Sequence, residues 1–399
     1  MRRNPPIIDR AGLTAFCHQS EGELPPVFKG RGAILTTLRK RGAATRTVQQ
    51  QPGHTQPHVR FRGIPKTTQI VQGAPGAGKS SVLAKLQEEC IMLDNESAPR
   101  VVITSSQDIM ENLPQVLKLI RATGECSPSI WTTLLSRVGV NLTTNALGEI
   151  SATIGWVPSA FDHVQTLGQL AEIAPSQNWT APVIIAVDEA QRISGNDTTP
   201  HARFLQSLHD ASSGLPLTLV LGGLSDTKER MQDFGITRGV TTHNLGCLNA
   251  TDRNELMGAF CEKFGINGIN FEPELQALAE PTEGWPRHLH FTLQALAQEF
   301  LRVNGVMAEV QWQQVAEVAA SSRVAYYHHQ QSAVLRRLKP LVGAVMEDLR
   351  KGDDFDTITS RIRQYFRPDM LNNLSDKFMN PSRFPRDLVH ELIHQGALQ

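Results

Sequence analysis

The sequence of 399 residues is poor in cysteine, has no long hydrophobic run and carries no excess of either charge. Its five cysteines, Cys17, Cys90, Cys126, Cys247 and Cys261, are odd in number and form no C-x-x-C pair. That speaks against a disulfide framework or a cysteine zinc site and fits a reducing cytoplasm. The strongest apolar run, Pro182 to Val187, is far shorter than the roughly 18 residues a membrane helix needs. Met1-Arg-Arg is followed by Asn-Pro-Pro rather than by an apolar signal core. The expectation is a soluble cytoplasmic protein with no membrane partner. Modest Gly and Pro contents, 30 and 23 residues, with 40% apolar residues exclude collagen-like and disordered classes. At about 100 to 200 residues per domain, the length implies two or three domains.

The balance of 39 basic against 39 acidic residues hides three unlike parts. Residues 1–66 hold 12 Lys and Arg against 3 Asp and Glu, a net +9; residues 67–331 hold 16 against 27, or −11; residues 332–399 hold 11 against 9, or +2. A basic amino-terminal arm is therefore masked by an acidic middle. Within the arm only Pro25 to Lys40 has an ordered pattern, Phe28-Lys-Gly-Arg31 leading into the helical run Ala33 to Leu38. Residues 42–66 have little apolar periodicity and read as a loop or flexible insertion.

From Thr67 short apolar strands alternate with amphipathic helices, the α/β pattern: Gln69 to Val71, Val101 to Ile103, Val183 to Val187 and Leu217 to Leu221. Val183 to Val187 is apolar at every position, as a parallel strand covered on both faces must be. The long stretch between Thr104 and Pro182 reads as a helical insertion, with Ile130 to Leu135 and Leu167 to Leu170 as core faces. Beyond Thr242 the pattern turns helical, over 251–263, 273–279 and 286–303. In the last of these, Leu289, Leu293, Leu296 and Phe300 make one stripe behind Pro286 at the first position. The expected division is an arm at 1–66, a core at 67–246, a helical lid at 247–305 and a small helical or winged-helix module at 306–399.

Gly73-Ala74-Pro75-Gly76-Ala77-Gly78-Lys79-Ser80 fits G-x-x-x-x-G-K-[ST] and lies between the strand ending at Val71 and a helical run from Ser81. Glycines let successive backbone N–H groups turn inward around a phosphate, Lys79 balances the β and γ charges, and Ser80 can coordinate magnesium. About 110 residues on, the central strand ends in Asp188-Glu189. Ligands bind at the carboxyl ends of such strands, so Asp188 can hold a hydrated magnesium ion and Glu189 can polarise the attacking water. ATP with Mg2+ is the expected ligand, and ATP hydrolysis the expected reaction.

These residues resemble the AAA+ ATPases, especially the branch with initiator ATPases, the MuB and TnsC type transposition regulators and the STAND switch ATPases. The resemblance covers residues 25 to about 303 and implies a parallel-sheet core, a helical lid and an oligomeric working state. It gives Phe28 a place beside adenine. It makes the strand from Leu217 a sensor 1 strand, with Ser225 near the γ-phosphate, and Glu283-Gly-Trp-Pro-Arg287 a sensor 2 element. Arg287 lies about 200° around its helix from Leu289 and so off the apolar stripe. Gly235-Ile-Thr-Arg238 supplies the best candidate for an arginine acting in the neighbouring subunit of a ring or filament, with Arg230 second. The sequence departs from the family in the inserted residues 42–66 and in the long stretch from 104 to 182, and no aromatic pore loop is evident.

Two outputs follow. One is a DNA-associated loader or recruiter of the initiator or transposition type, with Arg39-Lys-Arg41, Arg60-Phe-Arg62 and Lys66 as phosphate contacts. The other is a switch subunit of a multi-protein system such as bacterial antiviral defence, acting on an effector protein encoded elsewhere. Tyr326-Tyr-His-His329 reads as helix packing, His288 and His290 as lid-helix residues, and Arg336, Arg337 and Lys339 as a short basic face.

Overall fold

The structure is a computed structural model. It describes residues 8–19, 23–43, 68–93, 99–109, 140–144, 150–154, 167, 183–193, 199–212, 215, 217–330, 338–348, 353–367 and 384–394. The inserted residues 44–66 and most of 110–182, including Ile130 to Leu135, lie outside these ranges, as do Arg336 and Arg337.

Five strands form one parallel sheet: β1 (Thr68–Gln72), β2 (Arg100–Ser105), β5 (Val183–Asp188), β6 (Leu217–Gly223) and β7 (Val240–Asn244), in the order β2-β5-β6-β1-β7. Side-chain alternation along the three inner strands explains how both faces are covered. Val71, Ile184, Ala186 and Val220 point to the face packed by α2 (Gly32–Ala43) and α3 (Lys79–Met92). Ile70, Ile185, Leu219 and Leu221 point to the opposite face, where α4 (Pro200–Ala211) supplies Phe204, Leu205 and Leu208. Strand β6 lies between the strand that enters the Gly-rich loop and the strand that ends in Asp188.

The long insertion read as helical contains an antiparallel hairpin, β3 (Val140–Thr144) with β4 (Ile150–Ile154). Its Val, Thr and Ile content favours extended chain over helix. After β6 comes α5 (Thr227–Asp233), and after β7 the chain is helical: α6 (Ala250–Lys263), α7 (Glu272–Ala279), α8 (Pro286–Arg302) and α9 (Trp312–Gln330). The stripe Leu289, Leu293, Leu296 and Phe300 of α8 is buried, in a cluster with Phe260, Phe264 and Leu275. That lid cluster also takes Leu13 and Phe16 from α1 (Arg10–Cys17), a helix the sequence reading had missed. Its signals were an N-cap, Asp9 accepting from the Gly12 N–H at 2.8 Å, and two apolar residues three apart.

Helices α10 (Lys339–Asp348), α11 (Phe355–Tyr365) and α12 (Phe384–His394) close a separate cluster around Val345, Ile362, Phe384 and Leu388. Leu224, the residue after β6, belongs to that cluster and ties the carboxyl-terminal helices to the sheet. Asp226 reinforces the tie, pairing with Arg230 at 2.7 Å and hydrogen-bonding to His390 of α12. Among the described residues no helix is long and apolar enough to cross a membrane.

Candidate functional site

A cleft of about 520 Å³ opens between the carboxyl ends of the strands and the lid. Its volume lies within the range of about 300 to 1,000 Å³ usual for small-molecule sites. Its wall combines the Gly-rich loop and an acidic pair with an aromatic and apolar group of residues, to which Glu23, Lys29 and Arg31 add charge.

The polar part of the cleft begins at the loop joining β1 to α3. Gly76 and Gly78 have φ of 82° and 89°, which an L side chain disfavours, and these turns bend the loop around a hollow. Helix α3 has no side-chain cap at Gly78, so its first N–H groups and its dipole face that hollow. Lys79 folds back over the loop, Nζ donating to the carbonyls of Gly73 at 2.9 Å and Ala74 at 3.0 Å. Burial lowers its pKa to about 8, against the upward pull of Asp188 and Glu189. Gly73 and Ala74 thus hold the lysine from behind, while Pro75 to Ser81 line the cleft.

Asp188 and Glu189 border the same hollow. Asp188 Oδ1 accepts the Glu189 N–H at 2.9 Å, and a side chain on Gly222 of the neighbouring strand would begin 3.1 Å from that oxygen. Glu189 is left-handed at φ 54°, uncommon for a residue with a side chain. Its carboxylate pairs with Arg192 at 2.9 Å, and both side chains are half-exposed. Ser80, in the first turn of α3, and Asp188 offer a hydroxyl and a carboxylate to one space, hard oxygen donors suited to Mg2+. Among the described residues no group of three or more His, Cys, Asp and Glu forms a metal cage, so a magnesium ion there would depend on ligand oxygens and water as well.

The lid docks directly on the Gly-rich loop. Arg287 N–H donates to the Gly76 carbonyl at 3.2 Å, and Trp285 is buried in the cluster beneath the loop. Arg287 lines the cleft with its guanidinium over the rings of Phe291 and Tyr326. The apolar part of the cleft is walled by Phe16, Val27, Phe28, Leu256, Phe260 and Leu293. His290 lines it too, edge-on to Phe16 at 5.2 Å, with its pKa pushed down to about 4 by burial and by the charge of Arg287.

The structure brings together Phe28, Pro75 to Ser81, Asp188, Glu189 and Arg287 around one cleft. Gly73 and Ala74, expected to touch the nucleotide, lie behind Lys79 and outside the lining, and Ser225, Arg230 and Arg238 are outside it too. At the end of β6 the cleft wall is Leu224, whereas Ser225 sits in the following turn and is not among the lining residues. Arg238 is exposed on the turn before β7, also outside the lining, and Arg230 is committed to Asp226. Sequence reasoning missed Phe16, Trp285 as a loop contact, His290 as a cleft residue and Tyr326, which had been read as helix packing alone. Arg39 of the basic arm pairs with Glu89 of α3 at 3.4 Å.

A parallel sheet whose first strand runs into a Gly-rich loop and lysine, with an acidic pair two strands away and a helical lid closing over both, defines an AAA+ type P-loop NTPase. The chain belongs to the Novel STAND NTPase 1 family, which it matches over residues 11–334. Among solved structures it is similar to the ORC2 protein of Aeropyrum pernix in ADPNP–ADP complexes, at 11% identity and TM-score 0.52, covering 96% of this chain and 90% of that one. It is also similar to Aeropyrum pernix ORC1 in complex with DNA, at 14% identity and TM-score 0.45 over 96% and 87% of the two chains. Drosophila ORC bound to DNA matches at 13% identity and TM-score 0.43, over 96% and 89%. At such identities the likeness is one of fold. No curated protein matches the sequence.

Proposed function

We propose that this NTPase binds and hydrolyses ATP with Mg2+ and uses the nucleotide state to control assembly with further copies of itself and with an effector protein. The observation that carries this reading is the convergence of Lys79, Ser80, Asp188 and Glu189 on one hollow closed by the lid. Lys79 trades the two loop carbonyls for phosphate oxygens, the exposed N–H groups of the loop and of α3 take the remaining phosphate charge, and the apolar part of the cleft takes the base. A magnesium ion held by Ser80 and Asp188 would supply charge neutralisation. Glu189 leaves Arg192 to accept a proton from the attacking water. Arg287 meets the terminal phosphates from the lid side, and Ser225, in the turn after β6, is the proposed polar partner of the γ-phosphate. Arg238, exposed and off the cleft of its own chain, serves the cleft of a neighbouring copy in a ring or filament.

Glu189→Gln should keep ATP affinity within about threefold and reduce turnover by about 10² to 10⁴. Unchanged turnover would remove Glu189 from the reaction. If Arg238 acts in trans, activity rises faster than linearly with protein concentration and Arg238→Ala poisons wild type in mixtures; strictly monomeric turnover sinks that part. The net +9 of residues 1–66 favours a second reading, a DNA-associated loader. ATPase rate and particle size with duplex DNA at two salt concentrations separate the two. DNA stimulation with a steep salt slope supports the loader, and DNA-indifferent assembly supports the switch.

A further inference from the structure

Tyr326 lies near the carboxyl end of α9, outside the sheet, the Gly-rich loop and the lid helix α8, yet it lines the cleft. Its ring centroid is 4.8 Å from Cζ of Arg287, and that of Phe291, one turn further along α8, is 5.4 Å away. The two rings are 5.7 Å apart and inclined at 57°. Three separations of such similar length make the two rings a corner beside the guanidinium and not a sandwich around it. A guanidinium stacks through its face and hydrogen-bonds through its edge. Cation–π contact with the two rings therefore restrains Arg287.

The stem of Arg287 is already fixed. Its N–H is bonded to the Gly76 carbonyl, and a methyl on Gly76 would come within 2.7 Å of its Cβ. Beyond that stem the side chain has several rotatable bonds, and ordering them before a ligand arrives removes a cost of binding.

We propose that Tyr326 is a positioning residue for Arg287, holding its guanidinium at the phosphate end of the cleft. Helix α9, which precedes the carboxyl-terminal helices, thereby sets how well the site tells a nucleoside triphosphate from a diphosphate. This rests on the reading that Arg287 meets the terminal phosphates.

Calorimetric titration of the full chain with ADPNP and with ADP provides the test. Arg287→Ala should lose at least about tenfold in ADPNP affinity and much less for ADP. Tyr326→Leu should lose about 3- to 10-fold for ADPNP with ADP little changed, whereas Tyr326→Phe, which keeps the ring, should stay within about twofold of wild type. In an Arg287→Ala background, Tyr326→Leu should add no further loss. If Arg287→Ala leaves ADPNP affinity unchanged, the underlying reading fails and takes this inference with it. If Arg287→Ala weakens ADPNP but Tyr326→Leu does not, or if the two losses add in the double variant, the inference alone fails.

Discussion

A methyl group on Gly76 would lie 2.7 Å from Cβ of Arg287 and 3.1 Å from the indole nitrogen of Trp285, at a backbone φ of 82°. Neither obstacle is a flexible chain end, since both belong to the turn that starts α8. Gly76→Ala should therefore push the lid off the loop and cost at least tenfold in nucleotide affinity, besides about 1 to 2 kcal/mol for the left-handed conformation. Binding within twofold of wild type would show that the loop and lid do not need this contact. At this scale the loop was legible because phosphate binding demands glycines, a lysine and a hydroxyl at fixed spacing, and the same holds for Asp188 and Glu189 at a strand end. Tyr326 was not legible. Nothing around it in sequence differs from an ordinary helix face, and its partner Arg287 is far away along the chain. Arg230, second choice for a role between subunits, is instead paired with the buried Asp226.

Among elements, β5 and β6 were read correctly because a strand covered on both faces must be a nearly continuous apolar run, with Thr218 a buried polar exception in β6. Helix α8 was clear from its single stripe. Helix α9 was harder, since it buries Val315 and Ala319 while leaving Val318 and Val324 exposed, and so has no clean stripe. Helix α1, eight residues long, is too short for a periodic signal and is held by the lid. Its contact with α8 includes Phe16 against His290, and that half-buried histidine makes a pH prediction. With a folded pKa of about 4 against about 6.5 for the free side chain, His290 binds its proton mainly in the unfolded chain. Stability contributed by the neutral ring is complete above pH 6.5 and is lost as pH falls toward 4, by about 3 kcal/mol at most. His288, also lowered by burial, adds to the same trend. His290→Gln should flatten the fall in unfolding midpoint over that window, leaving the smaller His288 part. An unaltered slope would mean that His290 is solvated.

Across the whole molecule, the carboxyl-terminal helices meet the sheet at the end of β6, the strand that separates the Gly-rich loop from the acidic pair. Leu224 is buried among those helices, and Asp226 joins Arg230 to His390 of α12. Burial opposes the charge on Asp226, but the hydrogen bond from His390 and the charge of Arg230 outweigh it and hold the carboxyl below its ordinary pKa. The contribution of this carboxylate is present above the ordinary carboxylate range and lost below it. Asp226→Asn should destabilise the docked helices by about 1 to 3 kcal/mol near neutral pH, read by urea unfolding, because the buried carboxylate no longer accepts from Arg230 and His390. A change under about 0.5 kcal/mol would show that this carboxylate is not what fastens the module. By itself the sequence determined the parallel sheet, the phosphate loop, the acidic pair and the lid helix. Each depends on residue type and period within about twenty neighbours, which is what the chemistry of a phosphate and the covering of a strand constrain. Only the tertiary structure decided that Phe16 walls the apolar part of the cleft, that Tyr326 reaches Arg287 and that Leu224 belongs to the carboxyl-terminal helices. These meetings arise from the packing of helices distant in sequence, and such packing leaves no local pattern in any one of them.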